Sequence, residues 1–248
     1  MRCKWAFPKH KVVFYMNPKC ATTFFDQCID LLKEKGNKVP ADRINKQELI
    51  NDYTHIFFIR NPYIRLVSTF IDRCRDQEGF DYEKQLFSTF CTKNFYKNNI
   101  KITFENCVDL VVKKRFDIID DWHFCQQIKD EDINCYGSYK NKIFYDIDNT
   151  DLNVIFKIFN KNPIRPPEKN SYGGKYSLNT KTYQFKLKND NIDYKVYDKD
   201  LKDYYGNKFN DKKYFYNEKL KLDVYNCYEN DFKFFRDNNI FFDINTID

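Results

Sequence analysis

The sequence predicts an α/β domain of three layers, with a central, mostly parallel sheet flanked by helices. Three observations carry this expectation. Short apolar runs (KVVFYM, HIFFIR and KIFYDI) alternate with stretches whose apolar residues recur every three to four positions. The first two runs each break at Asn-Pro and pass directly into a helical pattern. The 248 residues, with only 6 Gly and 7 Pro, suit one domain with a sizeable core rather than a disordered chain.

Taken in order, residues 11–16 read as a first strand. Residues 21–35 read as a helix with Phe24, Phe25, Cys28, Ile29 and Leu32 on its apolar face, and Gly36 stands where a helix end favours a left-handed residue. Residues 55–60 form a second buried strand. Asn61 then suits a cap and Pro62 the first turn of a helix faced by Tyr63, Leu66, Val67, Phe70, Ile71 and Cys74. Further helices are expected at 82–94, 105–113, 151–159 and 218–236, and another strand at 142–147. Asn-Pro, Pro-Pro and Gly-Gly signals mark 162–188 as a flexible flap within a single domain spanning 1–248.

Charge and cysteine content narrow the function classes. The net charge is +6, and residues 161–188 alone hold seven basic residues against one acid, Glu168. Such a stretch either faces an anion or is a solvated basic loop. No nucleic-acid-binding motif accompanies the charge, so nucleic acid is not an expected partner. Nine cysteines, odd in number and without paired metal spacing, point to reduced thiols and no metal centre. No signal peptide, anchor or membrane span is evident, so a soluble, cytoplasmic protein is expected.

The chemistry concentrates at two strand-to-helix turns, the place where α/β sheets bind ligands. The first is Asn17-Pro18-Lys19-Cys20-Ala21-Thr22-Thr23. Backbone amides at a helix start face an anion, the hydroxyls of Thr22 and Thr23 add donors, and Lys19 adds charge. An ordinary helix start with a solvated lysine reads the same way. The second is Phe57 to Arg73, where Arg60 ends a strand with a guanidinium suited to bidentate phosphate binding, and Ser68 lies two helical turns on. Taken alone, Arg60 reads rather as the partner of a surface acid and Ser68 as a small packing residue. Two anion-binding turns suit a ligand with phosphates at two ends. The glycines of a nucleotide-triphosphate loop are missing.

The pair resembles the donor loops of sulfotransferases, especially the Golgi-type carbohydrate sulfotransferase family. Pro18, Lys19, Ala21, Thr22 and Thr23 match that family's "PK-x-[AG]-[ST]-T" loop, and Cys20 takes its variable position. Arg60 to Phe70 matches "R-[DN]-P-x-x-R-[LF]-x-S-x-[FY]" throughout, including Arg65 and Ser68. More loosely, DDWHFCQQ (120–127) is similar to "D-x-H-[WF]-x-P-Q", with Gln126 in place of Pro. Asp146 stands near a usual Glu, and Tyr228, Asp231 and Phe235 fall close to a closing-helix pattern.

The resemblance implies a P-loop-like fold and 3′-phosphoadenosine 5′-phosphosulfate as donor, without a metal. It implies that the 18–23 loop and Lys19 hold the phosphosulfate, and that Arg60 and Ser68 hold the 3′-phosphate. The acceptor implied is a carbohydrate hydroxyl, which the basic flap would suit in anionic form. His123, in the acceptor-side stretch, is the expected base, with Asp120, Asp121 and Glu105 as alternatives. Lys175, beside Gly173-Gly174, is a further candidate for closing over the nucleotide. Two rivals stand beside this reading. One is a P-loop-like nucleotide kinase or other phosphotransferase, for which the glycines are lacking. The other is a non-catalytic nucleotide- or glycan-binding module.

Overall fold

The computed structural model describes residues 3–74, 103–118, 122–151, 154–162 and 215–242. The helix expected at 82–94, the flap expected at 162–188 beyond its first residue, with Lys175, and Asp120 and Asp121 lie outside them. The described strands are β1 (Cys3–Phe7), β2 (Val12–Met16), β3 (Val39–Pro40), β4 (Thr54–Ile59) and β5 (Asn141–Asp146). The described α-helices are α1 (Thr22–Leu31), α2 (Lys46–Asp52), α3 (Pro62–Cys74), α4 (Phe104–Ile118), α5 (Asp130–Gly137), α6 (Val154–Ile158), α7 (Glu218–Cys227) and α8 (Glu229–Asp237). Two compact units divide the chain: Met1–Arg60 with Gln126–Ser177, and Asn61–Cys125 with Leu178–Asp248.

The first unit is built on one sheet of order β3-β1-β2-β4-β5. β2, β4 and β5 pair in parallel, whereas β1 pairs antiparallel with both β2 and β3. Four strands therefore run one way and β1 alone opposes them. Both faces are covered, which explains why β2 and the Ile56–Ile59 part of β4 carry consecutive apolar residues rather than alternating ones. Val12, Phe14, Met16, Ile56 and Phe58 pack with Phe25, Cys28 and Ile29 of α1 and Ile155 and Phe156 of α6. On the other face Tyr15 and Phe57 stack at 4.5 Å and meet Tyr136 of α5, each at 5.2 Å. The three parallel strands end together at Met16, Ile59 and Asp146.

The second unit packs α3, α4 and α7 around Leu66, Val67, Phe70, Phe104, Val108, Phe215 and Leu220. Asn61 caps α3 as expected, its Oδ1 accepting from the Tyr63 N–H at 3.0 Å.

Several expected boundaries are corrected. α1 ends at Leu31, not at 35. Glu34 N–H bonds Ile29 O and Lys33 N–H bonds Asp30 O, closing the helix with Lys33 at φ 58°. Gly36 is not the left-handed residue; it lies in a short 3₁₀ turn, Lys35–Asn37. The same closure recurs after α6 and α8, with Asn160 at φ 54° and Asn239 at φ 61°. In this glycine-poor chain lysine and asparagine therefore take glycine's place. The helix expected over 218–236 is two helices broken at Tyr228. α2 and α5 have too few apolar positions to be read from periodicity, and the sequence reading does not include β1.

Candidate functional site

The turn after β2 departs from ordinary helix entry in a specific way. The Cys20 N–H bonds Asn17 O at 3.0 Å, with Pro18 and Lys19 between them and Lys19 at φ 63°. Proline followed by a positive φ is the pattern of a type II turn, whose third position favours glycine. Ala21 then caps α1 at φ 61°, ψ 21°, and its methyl offers no side-chain cap. Phe25 N–H accordingly opens the helix on Ala21 O at 2.9 Å. Two non-glycine residues thus sit left-handed with one residue between them, at a cost of roughly 1 kcal/mol or more each. The turn stands at the N-terminus of α1, the positive end of that helix's dipole. Lys19 and Thr22 are half-buried there, and Pro18 and Cys20 are buried. Thr23 is the second residue of α1.

What holds the turn comes from far along the chain. Gln127 is fully buried, and its Oε1 accepts from the Arg60 N–H at 3.0 Å and from Cys20 Sγ at 3.2 Å. Its Nε2 donates to Arg60 O at 2.7 Å, and its own carbonyl accepts from Asn17 Nδ2 at 2.9 Å. The Arg60 guanidinium reaches back to the turn, Nη1 donating to Lys19 O at 3.2 Å. Its other edge grips Asp148, Nε to Oδ2 at 2.9 Å and Nη2 to Oδ1 at 2.7 Å. Arg60 therefore has an acidic partner, one of the two readings its sequence position allowed. Asp148 follows β5, where Asp146 accepts from the Asp148 N–H and from Asn149 Nδ2. Burial raises the Asp146 carboxyl above its ordinary range.

In the second unit, Ser68 is half-buried on α3, and His123 is half-buried in the 3₁₀ turn Trp122–Phe124. That turn is gripped through its carbonyls. Arg65, 1% exposed, donates from Nη1 to Cys125 O at 2.8 Å and from Nη2 to His123 O at 3.0 Å. Thr69 Oγ1 adds a longer contact to His123 O at 3.4 Å, and Tyr228 Oη donates to Phe124 O at 2.7 Å. Glu105 is half-buried in the first turn of α4.

The other two histidines have evident structural roles. His10 meets Glu34 at 3.4 Å. His55 lies in the core, 2.9 Å from Tyr15 Oη and 2.8 Å from Leu49 O, and stacks on Tyr139 at 3.6 Å. Leu49 O only accepts, so Nε2 carries the proton and Nδ1 accepts from Tyr15. Burial lowers the His55 pKa to about 4.

Lys19 and Arg60 are therefore brought together within one unit. Ser68 and His123 belong to the other, and Lys175 lies outside the described residues. Sequence reading does not single out Gln127 or Asp148, and it names Asn17 only as the start of the turn. Gln127 closes the stretch that carries His123, and that shared segment was its one signal. Among the described residues, no group of three or more His, Cys, Asp or Glu is arranged to hold a metal ion. No described helix is long and apolar enough to cross a membrane.

Comparisons with curated proteins and with solved structures gave no match. A family model, described as the sulfotransferase family, matches residues 5–236, nearly the whole chain and both units. The chain therefore belongs to the sulfotransferase family, of the Golgi-type carbohydrate sulfotransferase kind.

Proposed function

We propose that this enzyme transfers a sulfuryl group from 3′-phosphoadenosine 5′-phosphosulfate to a hydroxyl of a carbohydrate acceptor, on a P-loop-like fold. The observation that carries the reading is the left-handed Lys19–Ala21 turn at the start of α1, tied to Arg60 through Lys19 O. The donor supplies an activated S–O bond to a 5′-phosphate. Pro18 and Cys20 shape the turn, and the amides from Ala21 to Thr23, with the Thr22 and Thr23 hydroxyls, hold the non-bridging oxygens. Lys19 neutralises the charge that grows on the 5′-phosphate as that bond breaks. Arg60 and Ser68 bind the 3′-phosphate, and this remote binding fixes the donor for in-line attack. His123 takes the proton of the acceptor hydroxyl as its oxygen bonds to sulfur. Lys175 closes over the nucleotide, and the basic stretch at 162–188 favours an acceptor carrying sulfate or uronic acid groups.

Calorimetry of the full chain with 3′,5′-adenosine bisphosphate and with ATP–Mg²⁺ tests the donor assignment. Metal-independent binding of the bisphosphate, lost in Lys19→Ala and Arg60→Ala, supports it; preference for ATP–Mg²⁺ overturns it. Sulfate transfer across a panel of neutral and anionic glycans tests the acceptor. Transfer to a phenol or a protein tyrosine but to no glycan would replace the carbohydrate assignment.

A further inference from the structure

We propose that Gln127 is a positioning residue for the anion-binding turn, acting through Arg60 and Cys20 rather than by touching the donor. The inference rests on the donor reading above and extends it to a residue with no part in that chemistry.

The argument begins at the ends of β2 and β4. These strands pair in parallel as far as Tyr15 and Phe57, after which the chain of β2 turns away at Asn17. Arg60, one residue past β4, nevertheless has both backbone groups paired. The Gln127 carboxamide accepts from its N–H at 3.0 Å and donates to its carbonyl at 2.7 Å. A side chain thus does for Arg60 what a neighbouring strand does for Phe57. The same oxygen takes Cys20 Sγ at 3.2 Å, inside the turn, and the Gln127 carbonyl takes Asn17 Nδ2 at 2.9 Å, at its start. One fully buried residue therefore joins both ends of the site.

The turn needs such a brace because Lys19 and Ala21 are held at positive φ without glycine's freedom. Gln127 fixes the Arg60 backbone, and Arg60 Nη1 in turn holds Lys19 O. Few side chains fit this place. It requires an acceptor and a donor side by side at glutamine's reach, which only a primary amide or a protonated carboxylic acid offers.

That chemical equivalence supplies the test. Gln127→Leu removes both bonds at similar volume. Gln127→Glu keeps the reach but regains the donor only when protonated. Binding of 3′,5′-adenosine bisphosphate is measured from pH 5 to pH 8 at a temperature where circular dichroism reports the folded state. Gln127→Leu is expected to lose tenfold or more in affinity across the range. Gln127→Glu is expected to be equally weak at pH 8 and to approach the unsubstituted protein as pH falls. A Gln127→Leu affinity within twofold of the unsubstituted protein, or a Gln127→Glu profile parallel to that of Gln127→Leu, overturns the proposal.

A second measurement needs no donor: native-state alkylation of Cys20, followed by peptide mass spectrometry. Gln127→Leu is expected to accelerate it at least tenfold, and an unchanged rate counts against the brace. If the unsubstituted chain fails to bind the bisphosphate, the donor reading falls, and the alkylation rate still decides whether Gln127 holds the turn.

Discussion

Arg60 and Asp148 form a two-pronged ion pair at 2.9 and 2.7 Å, while the third nitrogen of the guanidinium holds Lys19 O. An anion arriving at Arg60 therefore meets a guanidinium whose Nε edge already carries a carboxylate.

Asp148→Asn is expected to have opposite effects on stability and binding. A partly buried, charge-assisted pair contributes about 1–2 kcal/mol, so the unfolding midpoint should fall accordingly. Affinity for 3′,5′-adenosine bisphosphate should rise a few-fold, because phosphate no longer competes with a resident anion. Calorimetry on the two proteins checks this; weaker binding would make Asp148 the holder of the fork instead.

His55 makes stability depend on pH. Its folded pKa, about 4, lies below the ordinary 6.5, so between these values the unfolded chain binds more protons. This contribution is complete above pH 6.5 and is lost as pH falls toward 4, by about 3 kcal/mol in all. Urea midpoints between pH 4 and 7 measure the slope, which His55→Gln should flatten. An unchanged slope would assign the acid sensitivity elsewhere.

Lys33→Gly should stabilise the protein. Lys33 is exposed at φ 58° where α1 closes, a conformation glycine adopts without penalty. A gain of about 0.5–1 kcal/mol corresponds to about 1–4 °C in Tm for a chain of this size. Lys33→Val should lower Tm by a comparable amount or more, and thermal melts of the pair decide the point.

The carbonyl grip on the His123 turn should matter for turnover more than for donor binding. Tyr228→Phe leaves Phe124 O without its 2.7 Å donor, costing about 1–2 kcal/mol. Sulfate transfer should fall several-fold while bisphosphate affinity stays within twofold. His123→Ala should abolish transfer with the same small effect on affinity. Retained turnover in His123→Ala would shift the base to Asp120, Asp121 or Glu105.

The candidate site was legible where chemistry follows from neighbours in the chain. Asn17-Pro18-Lys19 announces a turn because proline presets φ, and Asn61 caps α3 because its side chain reaches an amide two residues on. The helix ends were misread for a related reason. Glycine marks a left-handed position only when glycine is used, and Lys33 occupies one while Gly36 does not. The break at Tyr228 was invisible because the apolar spacing continues on both sides of it.

The sequence by itself determined the α/β alternation, the two strand-to-helix turns and the family resemblance, since each rests on residues within a few positions of one another. Only the tertiary structure decided that Lys19 and Ala21 are left-handed, that Arg60 carries Asp148, and that Gln127 ties Arg60 to Cys20. These bonds span 88, 67 and 107 residues. A hydrogen bond acts over about 3 Å in space, whatever the distance along the chain, so local spacing carries no trace of its distant partner.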